Sequence, residues 1–269
     1  MSEPLVHSSF YKFATVDDPL ALAEALRERV AGLGGNILVA TEGISGAVAG
    51  ESAVLDAFER SLTADFDGIF EGMTFKHSAC TTRPFHLIKV HVKKEIVAFG
   101  VPGVSGAAGT ATHVTPEAFR ALLDQSDVVV LDNRNSFEFR LGHFRNAIDP
   151  GVANFRDFPA YVEAHADAWK RDGKRIAMYC TGGIRCEKTA AWMQEQGLTV
   201  HQLDGGIVNY FAAVPDAERD WSGECFVFDK RIAIDTKLQE TATTAEQAYE
   251  GDPQAEWRLA RAKRLDPQG

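Results

Sequence analysis

The run Arg175-Ile-Ala-Met-Tyr179, the loop Cys180-Thr-Gly-Gly-Ile-Arg-Cys186 and the helix-like run Glu187–Gln196 follow one another without a break. No other feature constrains the fold as strongly. A short, continuous apolar run reads as a strand buried on both faces. A strand that hands over to a helix through so short a loop is half of a parallel β-α-β unit. The same alternation precedes it. Pro116–Leu123 reads as a helix, with Thr115 as its cap and Pro116 in its first turn. Val128–Leu131 is a second apolar strand, and Phe155–Trp169 is mainly helical. The C-terminal half is therefore α/β, a parallel sheet with helices on both faces. Loops at the carboxyl ends of such strands build sites. Both Asp132-Asn-Arg134 and the Cys180 loop lie at such ends.

Cys180 sits where this architecture favours a thiolate. An ordinary thiol has a pKa of about 8.5, and a helix N-terminus or a nearby arginine lowers it. The first N–H groups of a helix lack partners within it and carry positive partial charge. Gly182 and Gly183 are free to turn their amides inward as an anion-binding nest. Arg185 adds a permanent charge. The expected site is Cys180 with Thr181, Gly182, Gly183, Ile184, Arg185 and Cys186 around a bound anion. Cys186 either resolves a sulfur adduct of Cys180 or is a small buried residue at the helix start, and the second reading is preferred. Cys80 and Cys225 read as core or incidental thiols. Asp132 is expected to support the loop, Arg134 to pair with Glu138, and His143 to fill a polar niche.

The N-terminal part reads as β-α-β-β-α-β. Phe10–Phe13 is a short strand. Leu20, Ala23, Leu26 and Val30 mark a helix face, with Gly34-Gly35 closing that helix. Asn36–Ala40 is a strand, and Thr41–Gly46 turns into a second short one, Ala47–Val48. Val54, Leu55, Phe58 and Leu62 line a second helix. His86–Val92 is the next strand, which Glu95–Phe99 is expected to extend. The order implies an α+β, ferredoxin-like sheet with both helices on one face. Gly100–Thr110 is glycine-rich and reads as a linker. The expected division is residues 1–100, a linker at 101–112, an α/β domain at 113–225 and an extension at 226–269. In that extension Ala255–Arg264 can form a short basic helix with Trp257 as an anchor; docking on the body, partner contact and disorder are all open readings of the tail.

The net charge of −10 argues against a polyanion partner, but the charge is unevenly spread. Between Glu71 and Glu95 there is no acid, while Lys76, Arg83, Lys89, Lys93 and Lys94 are basic and Phe75 and Phe85 are interleaved. Such a segment suits RNA phosphates and unstacked bases, and equally a sheet edge protected by lysines. Lys188, Lys230 and Arg231 are expected to extend this surface. No stretch approaches the roughly 20 apolar residues of a membrane span. Met1-Ser-Glu-Pro4 lacks signal-peptide character, and the cysteines fit no zinc or disulfide pattern, so the cytoplasm is expected. No flavin or nicotinamide fingerprint is present, and no cofactor is identifiable.

Four motifs in order carry a family resemblance. They are Val128–Asp132-Asn-Arg134 with Glu138, Leu141-Gly142-His143-Phe-Arg-Asn-Ala147-Ile148, Cys180–Arg185, and Val200-His-Gln-Leu-Asp-Gly205-Gly206-Ile207. Together they resemble a rhodanese domain over roughly residues 113 to 225. Tyr179–Lys188, Gly223-Glu-Cys225-Phe-Val-Phe-Asp229-Lys-Arg231, Gly35–Gly46 and Val92–Val97 narrow the resemblance to the rhodanese-like bacterial proteins that hydroxylate the wobble uridine of tRNA. That resemblance implies oxygen-dependent 5-hydroxylation of uridine-34, with Cys180 as the functional cysteine, acting as a persulfide. It further implies molecular oxygen as co-substrate and the tRNA anticodon arm as partner. Arg83, Lys89, Lys93 and Lys188 would then contact RNA. Some relatives carry a Cys-rich tail suggestive of zinc; this chain lacks it, and no structural metal is expected. A thiosulfate or persulfide sulfurtransferase, fed by a small sulfur donor, is the alternative, and a non-catalytic rhodanese-like binding module is a third reading.

Overall fold

A computed structural model of the chain describes residues 5–108 and 112–265. Residues 109–111 of the expected linker lie outside the described residues. The chain divides into two units. The first runs up to Ala98 and takes in Ser105–Ala107 and Asp229–Arg231; the second holds Phe99–Val104, Ala108–Phe228 and Ile232 onward.

In the first unit, β1 (Leu5–Phe13), α1 (Pro19–Arg29), β2 (Gly34–Ala40), β3 (Gly43–Glu51), α2 (Ser52–Ala64), β4 (Phe75–Cys80) and β5 (Ile88–Val92) follow in order. Their sheet has the order β4-β1-β3-β2-β5, antiparallel except where β2 pairs with β5. Alternate strand residues Phe10, Ile37, Val39, Ile44, Val48 and Val90 pack with Leu22, Ala23 and Leu26 of α1 and Leu55, Phe58 and Leu62 of α2. Both helices thus cover one face, as expected.

Several details depart from the sequence reading. Leu20 is exposed, and α1 buries Leu22 instead; the helix ends at Arg29, and Gly34 and Gly35 open β2 rather than closing α1. The second strand of the hairpin spans nine residues rather than two. Its first residues, Gly43–Gly46, read as part of a turn, yet the Phe10 ring fills the space above Gly46 and needs a residue without a side chain there. β4 is an additional strand, disguised by its mixed polar residues. Glu95–Phe99 is not a strand: the Glu42 carboxylate accepts the Ile96 amide proton at 2.9 Å, the bond a ladder would require.

In the second unit, β6 (Thr112–Val114), α3 (Pro116–Leu122), β7 (Val128–Asp132), α4 (Ser136–Leu141), β8 (Gly142–Phe144) and β9 (Ala147–Ile148) come first. There follow α5 (Phe158–Arg171), β10 (Arg175–Tyr179), α6 (Ile184–Glu195), β11 (Thr199–Leu203) and α7 (Gly206–Ala213). Five strands form a wholly parallel sheet in the order β6-β11-β10-β7-β9. Ala177 and Tyr179 of β10 pack with Phe119 of α3 and Ile207 and Tyr210 of α7. Met178 faces the other way and accepts a hydrogen bond from Thr189 of α6. The helices therefore cover both faces. Thr115 caps α3, its hydroxyl oxygen accepting from the Ala118 amide.

The unit closes with β12 (Trp221–Gly223), paired with β8, and the hairpin β13 (Cys225–Phe226) and β14 (Ala233–Ile234). α8 (Ala245–Ala248) and α9 (Ala255–Leu265) complete it. Ala248 and Tyr249 pack on Phe137 and Phe226. Trp257 is exposed and anchors nothing. Arg258 does so instead, ion-paired to Asp252 at 2.6 Å and lying 4.5 Å from the Phe137 ring centroid. An indole is the obvious anchor in sequence, but the helix phase turns position 258 inward. Among the described residues, no helix is long and apolar enough to cross a membrane.

Candidate active site

Cys180 follows directly on the central strand β10, at its carboxyl end, and is fully buried. The helix after it begins earlier than the sequence pattern suggests, at Ile184. Ile184, Arg185 and Cys186 are therefore its first turn, where amides have no helical partner. Gly183 takes φ +99°, in the left-handed region, and its N–H donates to Cys180 Sγ at 3.1 Å. Gly182 does not adopt a positive φ, so only one of the two glycines uses that freedom.

Burial works against charge on Cys180. It is overcome by a hydrogen bond from the Cys186 thiol, the charge of Arg185, and the backbone amides of Cys186 and Arg185, which pull the thiol down to about 5. Cys186 responds oppositely. Burial, then its bond to the Cys180 sulfur, push its thiol well above the ordinary value, so Cys186 keeps its proton and serves as a donor. Asn133 Nδ2 approaches Cys186 Sγ at 3.9 Å and donates to Thr189 Oγ1 at 2.7 Å. The loops after β7 and β10 thus meet, as the strand order requires.

The structure reassigns the charged partners. Arg134 does not pair with Glu138. It clasps Asp132, Nη2 to Oδ2 at 2.7 Å, and donates to the Gly142 carbonyl at 2.6 Å. Asp132 accordingly supports its own turn rather than the Cys180 loop. Glu138 instead receives Arg185 in a two-pronged pair, 2.8 Å on each side, with Arg185 Nη2 also reaching Thr181 Oγ1 at 3.3 Å. Burial opposes charge on Glu138, but Arg185, Arg134 and the Asn135 amide hold its carboxyl below the usual range. A chain-distant carboxylate that fixes the loop arginine has no local sequence signal. It lies 47 residues away from its partner.

A second helix end braces the loop. The amides of Ile207 and Val208, in the first turn of α7, donate to the carbonyls of Cys180 and Thr181 at 3.0 and 3.1 Å. Gly206 lies so close that a Cβ there would stand 2.5 Å from the Cys180 carbonyl oxygen and 2.7 Å from the Gly183 nitrogen. The result is a loop braced from two helix ends. Cys180 can be a thiolate at neutral pH, and amides and one neutralised arginine surround it. Cys225, by contrast, is pushed up to about 12 by burial and is an inert core thiol. His143 Nδ1 lies 2.9 Å from the Phe139 carbonyl and its ring stacks on Phe139, the polar niche expected of it.

Two family models match the chain: the "UPF0176 acylphosphatase like domain" over residues 5–96 and the "Rhodanese-like domain" over residues 115–213. A protein of Legionella pneumophila (strain Paris) named tRNA uridine(34) hydroxylase is 41% identical over 248 residues, 91% of this chain and 96% of that protein. The chain belongs to the tRNA uridine(34) hydroxylase family. A member from Bartonella bacilliformis is 44% identical over 211 residues, covering 78% of this chain and 68% of its own. A third, from Deinococcus radiodurans, is 42% identical over 242 residues, covering 88% and 78%. The rhodanese match spans the Cys180 loop and both helix ends that brace it.

The remaining expected residues of this family member fall in different places. Lys188 is fully buried in α6 and offers no surface charge. Arg231 is buried too, ion-paired to Asp229 at 2.7 Å and donating to Ser78 Oγ at 2.7 Å. Both read as exposed cations in sequence, where burial is invisible. Arg83, Lys89 and Lys93 are exposed in the first unit. The proton affinity of His91 on β5 is lowered by desolvation and by the charges of Lys93, Lys89 and Arg27. Positive charge therefore accumulates along β5, an edge strand of its sheet.

Proposed function

We propose that this protein hydroxylates C5 of the wobble uridine in tRNA, with Cys180 as the reacting sulfur. The observation that carries the reading is the joint one: a chain matched over almost its whole length by tRNA uridine(34) hydroxylases presents, on its rhodanese-type loop, a cysteine held as thiolate. Replacing C5–H by C5–OH is a two-electron oxidation of the base; with molecular oxygen as co-substrate one oxygen atom enters the base and the other leaves as water, which takes two further electrons and two protons from an external thiol-class reductant.

The chain's own residues supply three things. The amides of Gly183, Arg185 and Cys186 bind a negative sulfur. The Cys186 thiol donates a hydrogen bond to it. Arg185, pinned by Glu138, holds one fixed charge beside it. Cys180 is fully buried, so in this reading its sulfur reacts within the loop and not at the open surface. Thr181, Gly182 and Ile184 complete the same loop. The exposed cations Arg83, Lys89 and Lys93 are assigned to the phosphates of the anticodon arm, which makes residues 1–100 the RNA-contacting domain and 113–225 the sulfur-bearing one.

The test is complementation of a bacterial strain that lacks uridine-34 hydroxylation, with nucleoside mass spectrometry of its tRNA. The wild-type chain restores 5-hydroxyuridine-derived nucleosides and Cys180→Ala does not. No restoration by a well-expressed wild-type chain sinks the activity; full restoration by Cys180→Ala sinks the thiol's part in it.

A further inference from the structure

Asn133 is carried to the pair of loop thiols by the turn after β7. Its backbone N–H donates to the Tyr179 carbonyl at 2.9 Å, which sets it beside the residue that precedes Cys180. The residue is only 1% exposed, and its Nδ2 lies between two groups of α6, Thr189 Oγ1 at 2.7 Å and Cys186 Sγ at 3.9 Å.

Thr189 decides which way that amide faces. A hydroxyl has one proton, and the other neighbours of this one are all acceptors: the Arg185 carbonyl at 2.9 Å, the Cys186 carbonyl at 3.3 Å and the Met178 sulfur at 3.4 Å. Toward Asn133 the Thr189 oxygen can therefore only accept, and Asn133 must present its NH2 group. The second proton of that group is directed at Cys186 Sγ. A sulfur that accepts on one side keeps its own proton for the other, where the Cys180 sulfur lies. The opposite orientation would set Oδ1 against Cys186 and draw its proton away from Cys180. The observed one leaves Oδ1 buried with no hydrogen-bond partner among the described residues, so the amide is placed for its donors and not for its acceptor.

We propose that Asn133 is a positioning residue for the reacting sulfur: by donating to Thr189 and Cys186 together, it sets the direction of a hydrogen-bond relay that ends on Cys180. Each donor in such a chain polarises the next, so the N–H on Cys186 makes its S–H the stronger donor. The other charged and titratable groups packed around the two thiols are Arg185 of α6, its counter-ion Glu138 of α4, the Asp132–Arg134 pair after β7 and the inert Cys225 of β13. Glu187, next in α6, gives its carboxylate to Gln202 at 2.7 Å, and α7 brings backbone amides. The relay goes beyond the hydroxylase reading, because sulfur transfer also needs Cys180 as an anion.

The experiment titrates Cys180 by its thiolate absorbance in the full chain, with Cys80→Ser to remove the half-buried thiol of β4. Asn133→Leu, close to asparagine in size but without a donor, raises the Cys180 midpoint by about one pH unit, an about tenfold loss of thiolate below it. In a Cys186→Ala chain the relay has lost its middle member, and Asn133→Leu adds no further shift. In a Cys186→Ser chain, whose hydroxyl both accepts and donates, the shift returns. An asparagine that only held the fold would not distinguish these two backgrounds. Should Asn133→Leu fail to fold by circular dichroism, Thr189→Val takes its place: it keeps the shape, frees the amide to turn over and raises the midpoint under the same dependence on position 186. A folded Asn133→Leu or Thr189→Val chain with the wild-type midpoint overturns the proposal, and so does an equal shift in the Cys186→Ala chain. The measurement needs no substrate, so its failure is separate from a failure of the hydroxylase reading.

Discussion

Cys180 and Cys186 are two buried thiols in one loop with opposite protonation states. The native Cys180 titrates at about 5, whereas an unfolded thiol titrates near 8.5. Between these values the unfolded chain binds more protons than the folded one, so stability rises with pH across the window. The gain is fully present above the unfolded value and is lost as pH falls through about 5. The thiolate absorbance near 240 nm should accordingly titrate at about pH 5 for Cys180, where an ordinary thiol titrates near pH ~8.5. Cys186→Ala should move that profile to higher pH, and Cys186→Ser, which keeps a donor, should leave it near the wild type. A filler role for Cys186 predicts no difference between the two. Glu138 is a residue-scale case of another kind. Glu138→Gln leaves the buried Arg185 charge without its counter-ion and should destabilise the fold by about 3–5 kcal/mol in chemical denaturation.

At the scale of elements, the site is built from strand ends and helix starts. β10 and β7 pair in parallel, which places Cys180 and Asn133 side by side. α6 contributes unpaired amides to sulfur, and α7 contributes amides to the carbonyls of the same loop. Gly206 is where α7 touches that loop, and it holds φ +69°. Gly206→Ala combines left-handed strain with a steric collision. It should cost about 2 kcal/mol or more and raise the titration midpoint of Cys180, read by urea midpoint and by thiolate absorbance against pH. The Cys180 loop, its glycines and its arginine are contiguous and were legible as a string. The bracing by α7 was visible only as a double glycine. The Arg185–Glu138 and Arg134–Asp132 pairs were misassigned, because spacing along the chain does not say which of two buried carboxylates faces which arginine.

For the whole molecule, the proposed RNA substrate has to be set against a net charge of −10, and what matters is where that charge lies. Arg83, Lys89 and Lys93 are exposed in the first unit, and His91 is held below its ordinary proton affinity first by desolvation and then by the charges of Lys93, Lys89 and Arg27. Phosphate neutralisation releases counter-ions, so binding weakens with salt. Lys89→Ala with Lys93→Ala should lower tRNA affinity at every sequence tested and reduce the slope of log affinity against log salt by about 2. An unchanged slope would leave these lysines as protection for the β5 edge. Lys188 and Arg231 belong to the same charge inventory by sequence, but both are buried, so their substitution should be felt in stability before affinity.

The amino-acid sequence by itself determined the α/β alternation, the two-helix α+β unit before it, and the Cys180 loop, because each rests on local periodicity or a contiguous motif. Tertiary structure decided which carboxylate holds Arg185, that Cys186 points its proton at Cys180, and which lysines reach solvent. These are relations between residues far apart in the chain or matters of burial, and packing sets both.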